Sequence, residues 1–313
     1  MPTFAEVARR QLDPAKVRSD YLSAEQYQKG CEQVWSTDKR SLVSSDRRAP
    51  ESGAVVYAKR DHAKTLFPLL RKSRSRIVLV TAESDEAVSV SDAIPPQVAR
   101  WFSTNSAHPA VRQLPLGLGN SYCPVTAKAD SLAEACGARK SGLLYLNFRP
   151  ATNSGARQTL WESYSGAERE GWGTRRAGDV SRQDYVMELA SHRFALCPPG
   201  NGTDTHRMWE ALYVGTIPVV QKSPALESFS DLPILFVDCL EGLSKSFLED
   251  REARMACEEW SWDKLFVPWW IQRFTEARAG MKACSPRLSL MEFFFSGLSQ
   301  RRLPFAMAPA VRK

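Results

Sequence analysis

The sequence lacks the residue arrangements that bind structural metals or form a disulfide framework. Only four histidines occur among its 313 residues. The seven cysteines are odd in number and widely spaced, with no Cys-x-x-Cys pair and no Cys/His cluster. This pattern supports neither a zinc site nor a disulfide-rich extracellular domain. Reduced thiols in a cytoplasmic compartment agree with it best.

Long hydrophobic stretches are also missing. No run approaches the roughly 18 apolar residues of a transmembrane helix, and the N-terminal segment MPTFAEVARRQLDPAKVRSD lacks the apolar core of a signal peptide. We therefore expect no membrane span and a cytoplasmic protein, with peripheral association at a membrane surface left open. A Golgi-lumenal location would apply if the sequence were a piece of a longer eukaryotic chain.

Positive charge exceeds negative charge, but it is scattered along the chain. The net charge is +7 and the isoelectric point is near 9.1, which suits contact with anions such as nucleotide phosphates or acidic glycans. A solvated basic surface explains the charge equally well. Because there is no long Lys/Arg run, zinc-finger spacing or RNP-like aromatic motif, we expect no nucleic-acid partner.

Strand and helix patterns alternate twice along the chain. The predicted strands are 53–58, 75–84, 111–118, 142–148, 194–198, 216–221 and 233–238. The predicted helices are 62–73, 97–105, 157–166, 184–193 and 206–215, with further helical segments before 50 and after 258. This alternation predicts an α/β protein with parallel sheets covered on both faces. We predict an N-terminal domain over 1–135, a C-terminal domain over 136–285, and a tail over 286–313 that packs back on the N-terminal domain.

One segment combines several features of a phosphate-binding unit. The stretch 194–220, FALCPPGNGTDTHRMWEALYVGTIPVV, is predicted to form a strand, a glycine-rich turn, a helix and a second strand. Ligands of open α/β sheets bind at the carboxyl end of the strands, where this turn lies. Gly200 and Gly202 have no Cβ, so the backbone there can bend sharply and approach a bound group.

The start of the following helix is the predicted diphosphate site. We expect Asp204 or Thr205 to cap this helix, and its free N–H groups to attract an anion. Arg207 adds a positive charge in the first turn. Glu210 lies on the same face and can accept hydrogen bonds from a ribose diol. An Arg–Glu pair that only supports the helix is the alternative.

This segment resembles a known family signature. Residues 193–220 closely match the form CPRGNGxDTHRxWEALxxGxIPVV of the exostosin-like, GT47-type glycosyltransferases. The stretches IVLVTAESDEAV, LPLGLGN and LLYLNFRPATNSGARQTLW are similar to bacterial and viral members, so the resemblance covers about residues 75–225. It implies a GT-B fold, in which two Rossmann-like domains face each other across a cleft. It also implies inverting transfer from a nucleotide sugar, a UDP- or GDP-sugar, without a cofactor or an essential metal.

The resemblance also implies the donor-binding residues. Those carried over by the motif are Gly200, Asn201, Gly202, Asp204, Thr205, Arg207 and Glu210. His206 lies in the motif and is a candidate contact to a phosphate or the sugar. Asn147 and Arg157 flank the loop after strand 142–148 and are candidate contacts to the nucleotide or the diphosphate. Pro199 stands where the family often has Arg, which removes one phosphate contact. The chain has no Asp-x-Asp pair, with which GT-A enzymes hold a divalent metal.

Catalysis by inversion requires a base that accepts the proton of the acceptor hydroxyl. Glu83 and Asp85 follow a buried strand at its ligand-facing end, and either can serve; a cap on the next helix is the alternative role. Asp85 is preferred because the family often reads Thr-His-Asn-Ser-Asp where this chain has Thr-Ala-Glu-Ser-Asp. We expect Trp101 and Asn105 near an acceptor. We expect the tryptophans at 260, 262, 269 and 270 in the core.

Three functions are compared on these observations. The leading one is a glycosyltransferase acting on a glycan or glycoconjugate acceptor. A non-catalytic subunit that binds a nucleotide sugar or a glycan is the main alternative, because the stretch before Asp85 departs from the family. An NAD-dependent enzyme is disfavoured, since GNGTDT lacks the third small residue of G-x-G-x-x-G and no acidic residue ends the next strand.

Overall fold

The computed structural model describes residues 2–35, 49–123, 126–176 and 180–283. These residues form two five-stranded parallel sheets with helices packed on them. The predicted tail 286–313 lies outside the described residues. Within the described part of the chain, no helix is both long enough and apolar enough to cross a membrane.

The first sheet follows the order of the chain. Its strands are β1 (Gln33–Trp35), β2 (Val55–Lys59), β3 (Ile77–Ala82), β4 (Val98–Ser103) and β5 (Val111–Gln113), in the order β1-β2-β3-β4-β5. The helices beside it are α3 (Ala24–Lys29), α4 (Arg60–Ser73) and, from the end of the described chain, α11 (Val267–Ala283). Strand β3 reads IVLVTA and is buried along its whole length, as expected of a β-branched strand covered on both faces.

Two sequence-based assignments in this unit are wrong. Residues 97–105 were predicted to be a helix, because apolar residues at 98, 101 and 102 resemble a helical spacing, but they form β4 between β3 and β5. Trp101 is 1% exposed, and its indole Nε1 donates a hydrogen bond of 2.9 Å to Thr81 Oγ1. Trp101 is therefore a core residue and does not reach an acceptor. The predicted N-terminal helical segment likewise ends in strand β1.

The second sheet reverses its direction of winding. Its strands are β6 (Gly142–Leu146), β7 (Gly173–Arg175), β8 (His192–Leu196), β9 (Ile217–Gln221) and β10 (Leu235–Val237), in the order β10-β9-β8-β6-β7. The helices of this unit are α5 (Ala129–Ala135), α6 (Ser154–Ser163), α7 (Ser165–Arg169), α8 (Arg182–Ser191), α9 (His206–Tyr213) and α10 (Lys245–Met255), with 3₁₀ helices at Pro224–Phe229 and Trp262–Leu265. The winding reverses between β6 and β8, where doubly wound sheets open a crevice for ligands. The short strand β7 was not predicted.

Both ends of the described chain cross between the two units. Helices α1 (Phe4–Gln11) and α2 (Pro14–Ser19) lie against the second unit, where Arg9 donates a hydrogen bond of 2.9 Å to the carbonyl of Gly137. In the opposite direction, the ring of Phe274 on α11 lies 4.9 Å from that of Phe102 in β4. Thus α11, which precedes the tail in the sequence, connects the two units. The tail was predicted to make this connection.

The architecture is the predicted GT-B arrangement, with two α/β units facing each other across a cleft. The tryptophans near the end of the described chain pack as expected. Trp262 and Trp270 are buried, and Trp260 and Trp269 are partly buried against the core.

Candidate functional site

The carboxyl ends of the two sheets face one cleft of about 840 Å³. Its walls come from the loops after β3 and β5 in the first unit, and from the loops after β6 and β8 in the second. Because the winding of the second sheet reverses between β6 and β8, their loops diverge and leave a crevice. Every residue that the sequence suggested for donor binding or catalysis lines this cleft.

The glycine turn has an internal backbone hydrogen bond and packs against the first unit. The N–H of Gly200 donates a hydrogen bond of 2.9 Å to the carbonyl of Gly202. A Cβ on Gly202 would lie 2.8 Å from Asn105 Nδ2, so a side chain there would displace Asn105. Asn105 Oδ1 in turn accepts a hydrogen bond of 3.2 Å from the N–H of Asp204. Asn105 is 4% exposed, and it holds this turn instead of facing an acceptor.

Arg157 supports the same turn from the second unit. Its guanidinium donates hydrogen bonds to the carbonyls of Pro199 at 2.9 Å, Pro198 at 3.0 Å and Arg149 at 3.4 Å. Burial, followed by repulsion from Arg207, lowers the pKa of Arg157 to about 10. The side chain therefore stays charged near neutral pH, and its donors shape the backbone of the turn. A direct contact between Arg157 and a donor stays a prediction.

Arg207 differs from Arg157 because its donors are unused. Its Nε is buried without a hydrogen-bond partner among the described residues. No carboxylate in that part of the chain pairs with its guanidinium. Arg149 lines the same wall with an exposed side chain. The sequence analysis missed Arg149, although its place three residues after β6, at the ligand-binding edge of the sheet, was a usable signal.

The start of α9 is uncapped, which corrects the expectation for Asp204 and Thr205. No side chain accepts a hydrogen bond from the first N–H groups of α9. Asp204 instead accepts hydrogen bonds from the N–H of Leu116 at 2.8 Å and from Trp209 Nε1 at 2.7 Å. Burial raises the pKa of Asp204 to about 7, and these hydrogen bonds oppose the rise. The N–H groups of His206 and Arg207 at the helix start therefore have no side-chain cap, and this end of the helix has a partial positive charge.

Other motif side chains also contact the first unit. His206 Nδ1 lies 2.7 Å from the carbonyl of Gly117 and donates to it. Asn201 Nδ2 donates a hydrogen bond of 3.1 Å to Asp85 Oδ2 across the cleft. Together with Asp204, these residues fasten the glycine turn and α9 to the loops of the first unit. The same motif that lines the cleft therefore also holds the two units together.

Glu210 lies deeper and already accepts two hydrogen bonds. Its Oε1 accepts from the N–H of Ala127 at 2.8 Å, and its Oε2 accepts from the hydroxyl of Tyr185 at 2.5 Å. Each carboxylate oxygen has a second lone pair, so Glu210 keeps acceptor capacity toward the cleft. Asn147 is similarly anchored, since its Nδ2 donates to the hydroxyl of Tyr145 at 3.0 Å.

The two carboxylates of the first unit have different surroundings. Glu83 has a left-handed backbone with φ of 62°. Its Oε2 accepts from the hydroxyl of Tyr57 at 3.1 Å, and its Oε1 accepts from the hydroxyl of Tyr122 at 2.9 Å and from the amide of Asn120. Asp85 is exposed, and only its Oδ2 has a partner among the described residues. Asp85 therefore keeps a free oxygen, whereas Glu83 is mostly engaged.

The described arginines that line the cleft lie on one of its walls, which also carries the carboxylates of Asp204 and Glu210. Glu83 and Asp85 lie on the first unit, whereas Arg149, Arg157 and Arg207 lie on the second. Such a division can hold an anion on one wall and a proton acceptor on the other. Among the described residues, no group of three or more His, Cys, Asp or Glu side chains is arranged to hold a metal ion.

Comparison with known proteins agrees with this site. Residues 124–232 match the family model of the Exostosin GT47 domain. This segment of the chain is therefore similar to the Exostosin GT47 domain. It includes strands β6 to β9, the glycine turn and α9, and with them every second-unit residue that the sequence suggested for donor binding.

Two solved structures show a distant similarity to this protein. AviGT4, a glycosyltransferase involved in avilamycin A biosynthesis, is 14% identical over 74% of this chain and 75% of its own, with a TM-score of 0.34. The α,α-trehalose 6-phosphate synthase from Burkholderia multivorans is 10% identical over 80% of this chain and 73% of its own, with a TM-score of 0.32. No curated protein matches the chain.

Proposed function

We propose that this protein is an inverting glycosyltransferase that moves a sugar from a nucleotide sugar to a glycan or glycoconjugate acceptor. The observation that carries the proposal is Arg207, whose buried Nε has no partner among the described residues, beside the uncapped start of α9. A buried donor without a partner costs free energy unless a ligand supplies an acceptor. A diphosphate supplies several acceptor oxygens and the opposite charge.

The donor would lie along the second unit. Its diphosphate would accept hydrogen bonds from Arg207 and from the N–H groups at the start of α9, with the turn at 200–202 below it. Arg149 would add a second formal charge. These cations and helix dipoles would neutralise the leaving diphosphate, which a divalent metal does in GT-A enzymes. We therefore propose a transfer that needs no essential metal ion.

Asp85 is the proposed base. Its free Oδ1 would accept the proton of the acceptor hydroxyl as that oxygen attacks the anomeric carbon. The new C–O bond forms while the bond from the anomeric carbon to the diphosphate oxygen breaks, and its electron pair leaves with the diphosphate. Attack from the side opposite the leaving group inverts the anomeric configuration. Glu83 is the less suitable base because three donors already occupy its carboxylate.

Glu210 is proposed to bind the ribose with its remaining lone pairs. Its anchoring by Ala127 and Tyr185 supports this role, because a fixed carboxylate loses less conformational entropy when a diol binds. Glu210→Gln is the sharpest test, since it keeps the shape but makes one of the two oxygens a donor. We expect weaker binding of UDP or GDP by isothermal titration calorimetry. Unchanged affinity would remove Glu210 from the ribose site.

A thermal-shift screen with UDP, GDP, CMP, their sugars and NAD tests the function as a whole. We expect stabilisation by one nucleoside diphosphate and by its sugar. A shift with NAD alone would support an oxidoreductase, and no shift with any nucleotide would contradict the donor site.

The alternative is a subunit that binds the nucleotide sugar without catalysis. The departure from the family at Ala82 and Glu83 favours it, because the family often has His and Asn there. Hydrolysis of the bound nucleotide sugar, or transfer from it to an added saccharide, distinguishes the two functions. Tight binding without either reaction would support the subunit.

A further inference from the structure

Tyr122 is an exposed aromatic residue at the mouth of the cleft. Its side chain is 70% exposed, the largest exposed fraction among the large hydrophobic residues that the structure describes as exposed. The others in this set are Val90, Met187 and Phe247, and none of them lines the cleft. The site described above assigns no role to Tyr122.

The hydroxyl of Tyr122 is fixed although its ring is open to solvent. It donates to Glu83 Oε1 at 2.9 Å and accepts from Asn120 Nδ2 at 3.0 Å. Glu83 is itself held by the buried Tyr57, whose hydroxyl donates to Oε2 at 3.1 Å. Hydrogen bonds to a carboxylate are stronger than those between neutral groups. The ring is therefore fixed in one orientation with its surface uncovered.

The loop that carries Tyr122 is also fixed. Lys128 Nζ donates to the carbonyl of Ser121 at 2.9 Å and to that of Cys123 at 2.7 Å, on either side of Tyr122. Ser121 also donates to the Glu25 carboxylate through its N–H at 3.0 Å and its hydroxyl at 2.7 Å. This loop needs no occupant to order it, so a ligand that stacks on the ring loses little free energy to ordering.

The surroundings of the ring indicate what covers it. Glu83 contacts the hydroxyl of Tyr122, and Asp85 lines the same first-unit wall of the cleft, whereas the arginines line the opposite wall. The occupant should be neutral, with an apolar face for the ring and hydroxyl groups for the carboxylates. A pyranose has both, because its axial C–H groups form an apolar face and its hydroxyls lie around the rim.

We propose that the ring of Tyr122 is the stacking platform for the acceptor sugar, with Glu83 as the positioning residue that fixes it. This inference rests on the proposed glycosyltransferase function and adds the acceptor side of that site. The platform orients the acceptor so that one hydroxyl faces Asp85. Glu83 acts through Tyr122 and is not itself the proton acceptor.

The test compares Tyr122→Ala, Tyr122→Phe and Tyr122→Trp with wild type. Phe247→Ala is the matched control, since Phe247 is an exposed aromatic residue outside the cleft. The probes are methyl glycosides of hexopyranoses and pentopyranoses. Their binding is measured by saturation-transfer NMR with and without UDP or GDP. Nucleotide affinity is measured by calorimetry and stability by urea unfolding on the same samples.

We expect the wild type to transfer saturation to the C–H groups of one pyranose face. Tyr122→Ala should weaken saccharide binding about fivefold, because aromatic contacts contribute about 1 kcal/mol. Tyr122→Trp and Tyr122→Phe should each bind the saccharide more tightly than Tyr122→Ala and more weakly than wild type, since both keep an aromatic ring and lose the hydroxyl that fixes it. Nucleotide affinity should match wild type in all variants. Unfolding free energy should fall slightly and alike in the three Tyr122 variants, since each loses the hydrogen bond to Glu83, and Phe247→Ala should change neither affinity.

Three results would overturn the proposal: saccharide binding by Tyr122→Ala equal to wild type, no binding of any probe by wild type, or a loss of nucleotide affinity in Tyr122→Ala. The last would show that the ring stacks on the donor base. If wild type binds saccharides through Tyr122 but binds no nucleotide, the platform stands and the proposed donor function fails. If nucleotide binds and saccharide does not, only the platform fails.

Discussion

Replacing Arg207 by Met should separate ligand binding from stability. In the free protein the buried Nε of Arg207 has no partner among the described residues, and Arg207 repels the nearby Arg157. Arg207→Met removes the unpaired donors and the repulsion while keeping a long side chain, so the free energy of unfolding should stay unchanged or rise by about 1 kcal/mol.

Nucleotide binding should change in the opposite direction. A hydrogen bond to a charged group contributes about 1.5–3 kcal/mol. Loss of one such bond between Arg207 and the diphosphate should raise the Kd for UDP or GDP about 10- to 150-fold. The affinity of the wild type should also fall as ionic strength rises, and this dependence should be weaker in Arg207→Met because one charge is gone.

Arg157→Met is the matched comparison. Arg157 donates to three backbone carbonyls, those of Pro198, Pro199 and Arg149. Removing these donors leaves the buried carbonyl of Pro198 unsatisfied and takes a partner from two partly buried contacts, so the free energy of unfolding should fall by about 1–3 kcal/mol. The two arginines, only one of which holds the backbone, should therefore affect stability in different directions.

Urea unfolding gives the stability of both variants, and isothermal titration calorimetry at two salt concentrations gives the Kd for the nucleotide. If Arg207→Met destabilises the protein as much as Arg157→Met does and leaves nucleotide affinity intact, Arg207 is a structural residue. The diphosphate site would then be wrong.

Three further changes test the site and the junction between the units. Asp85→Asn should lower kcat at least about 100-fold, with the Kd for the nucleotide unchanged, in an assay of nucleotide release; retained turnover would exclude Asp85 as the base. Gly202→Ala should lower the free energy of unfolding in urea by about 1–3 kcal/mol, since its Cβ would lie 2.8 Å from Asn105 Nδ2, whereas Gly155→Ala, with no atom within 4 Å of its Cβ, should not destabilise. Because burial raises the pKa of Asp204 to about 7, above an unfolded value of about 3.9, the folded protein binds the extra proton between these values. Unfolding free energy should therefore fall as pH rises from about 4 to 7, by up to about 1.4 kcal/mol per pH unit, and a slope that persists in Asp204→Asn would contradict this assignment.

Much of the fold follows from local sequence patterns. The run IVLVTA is apolar and β-branched, which favours a buried strand whatever its neighbours are. The turn Gly-Asn-Gly between a strand and a helix places free backbone N–H groups at a sheet edge, and this depends on backbone geometry alone. The motif residues predicted to bind the donor line one cleft, and their role in binding stays a prediction. The apolar residues at 98, 101 and 102 have a helical spacing, which led to the wrong prediction of a helix. The segment forms β4 instead because it pairs with the two neighbouring strands.

Only the tertiary structure decided what the polar side chains of the motif do. Asp204 was expected to cap α9, but its partner is the N–H of Leu116, 88 residues away in the sequence. The hydroxyl of Tyr122 donates a hydrogen bond to Glu83, 39 residues away in the sequence, and no local pattern predicts this pair. Periodicity and turn residues specify the backbone because those preferences act within a few residues. Hydrogen-bond partners, burial and shifted pKa values depend on which distant segments the fold brings together. The sequence by itself therefore determined most of the strands and the glycine turn, and the packing of the two units decided which side chains join them and which stay free for a ligand.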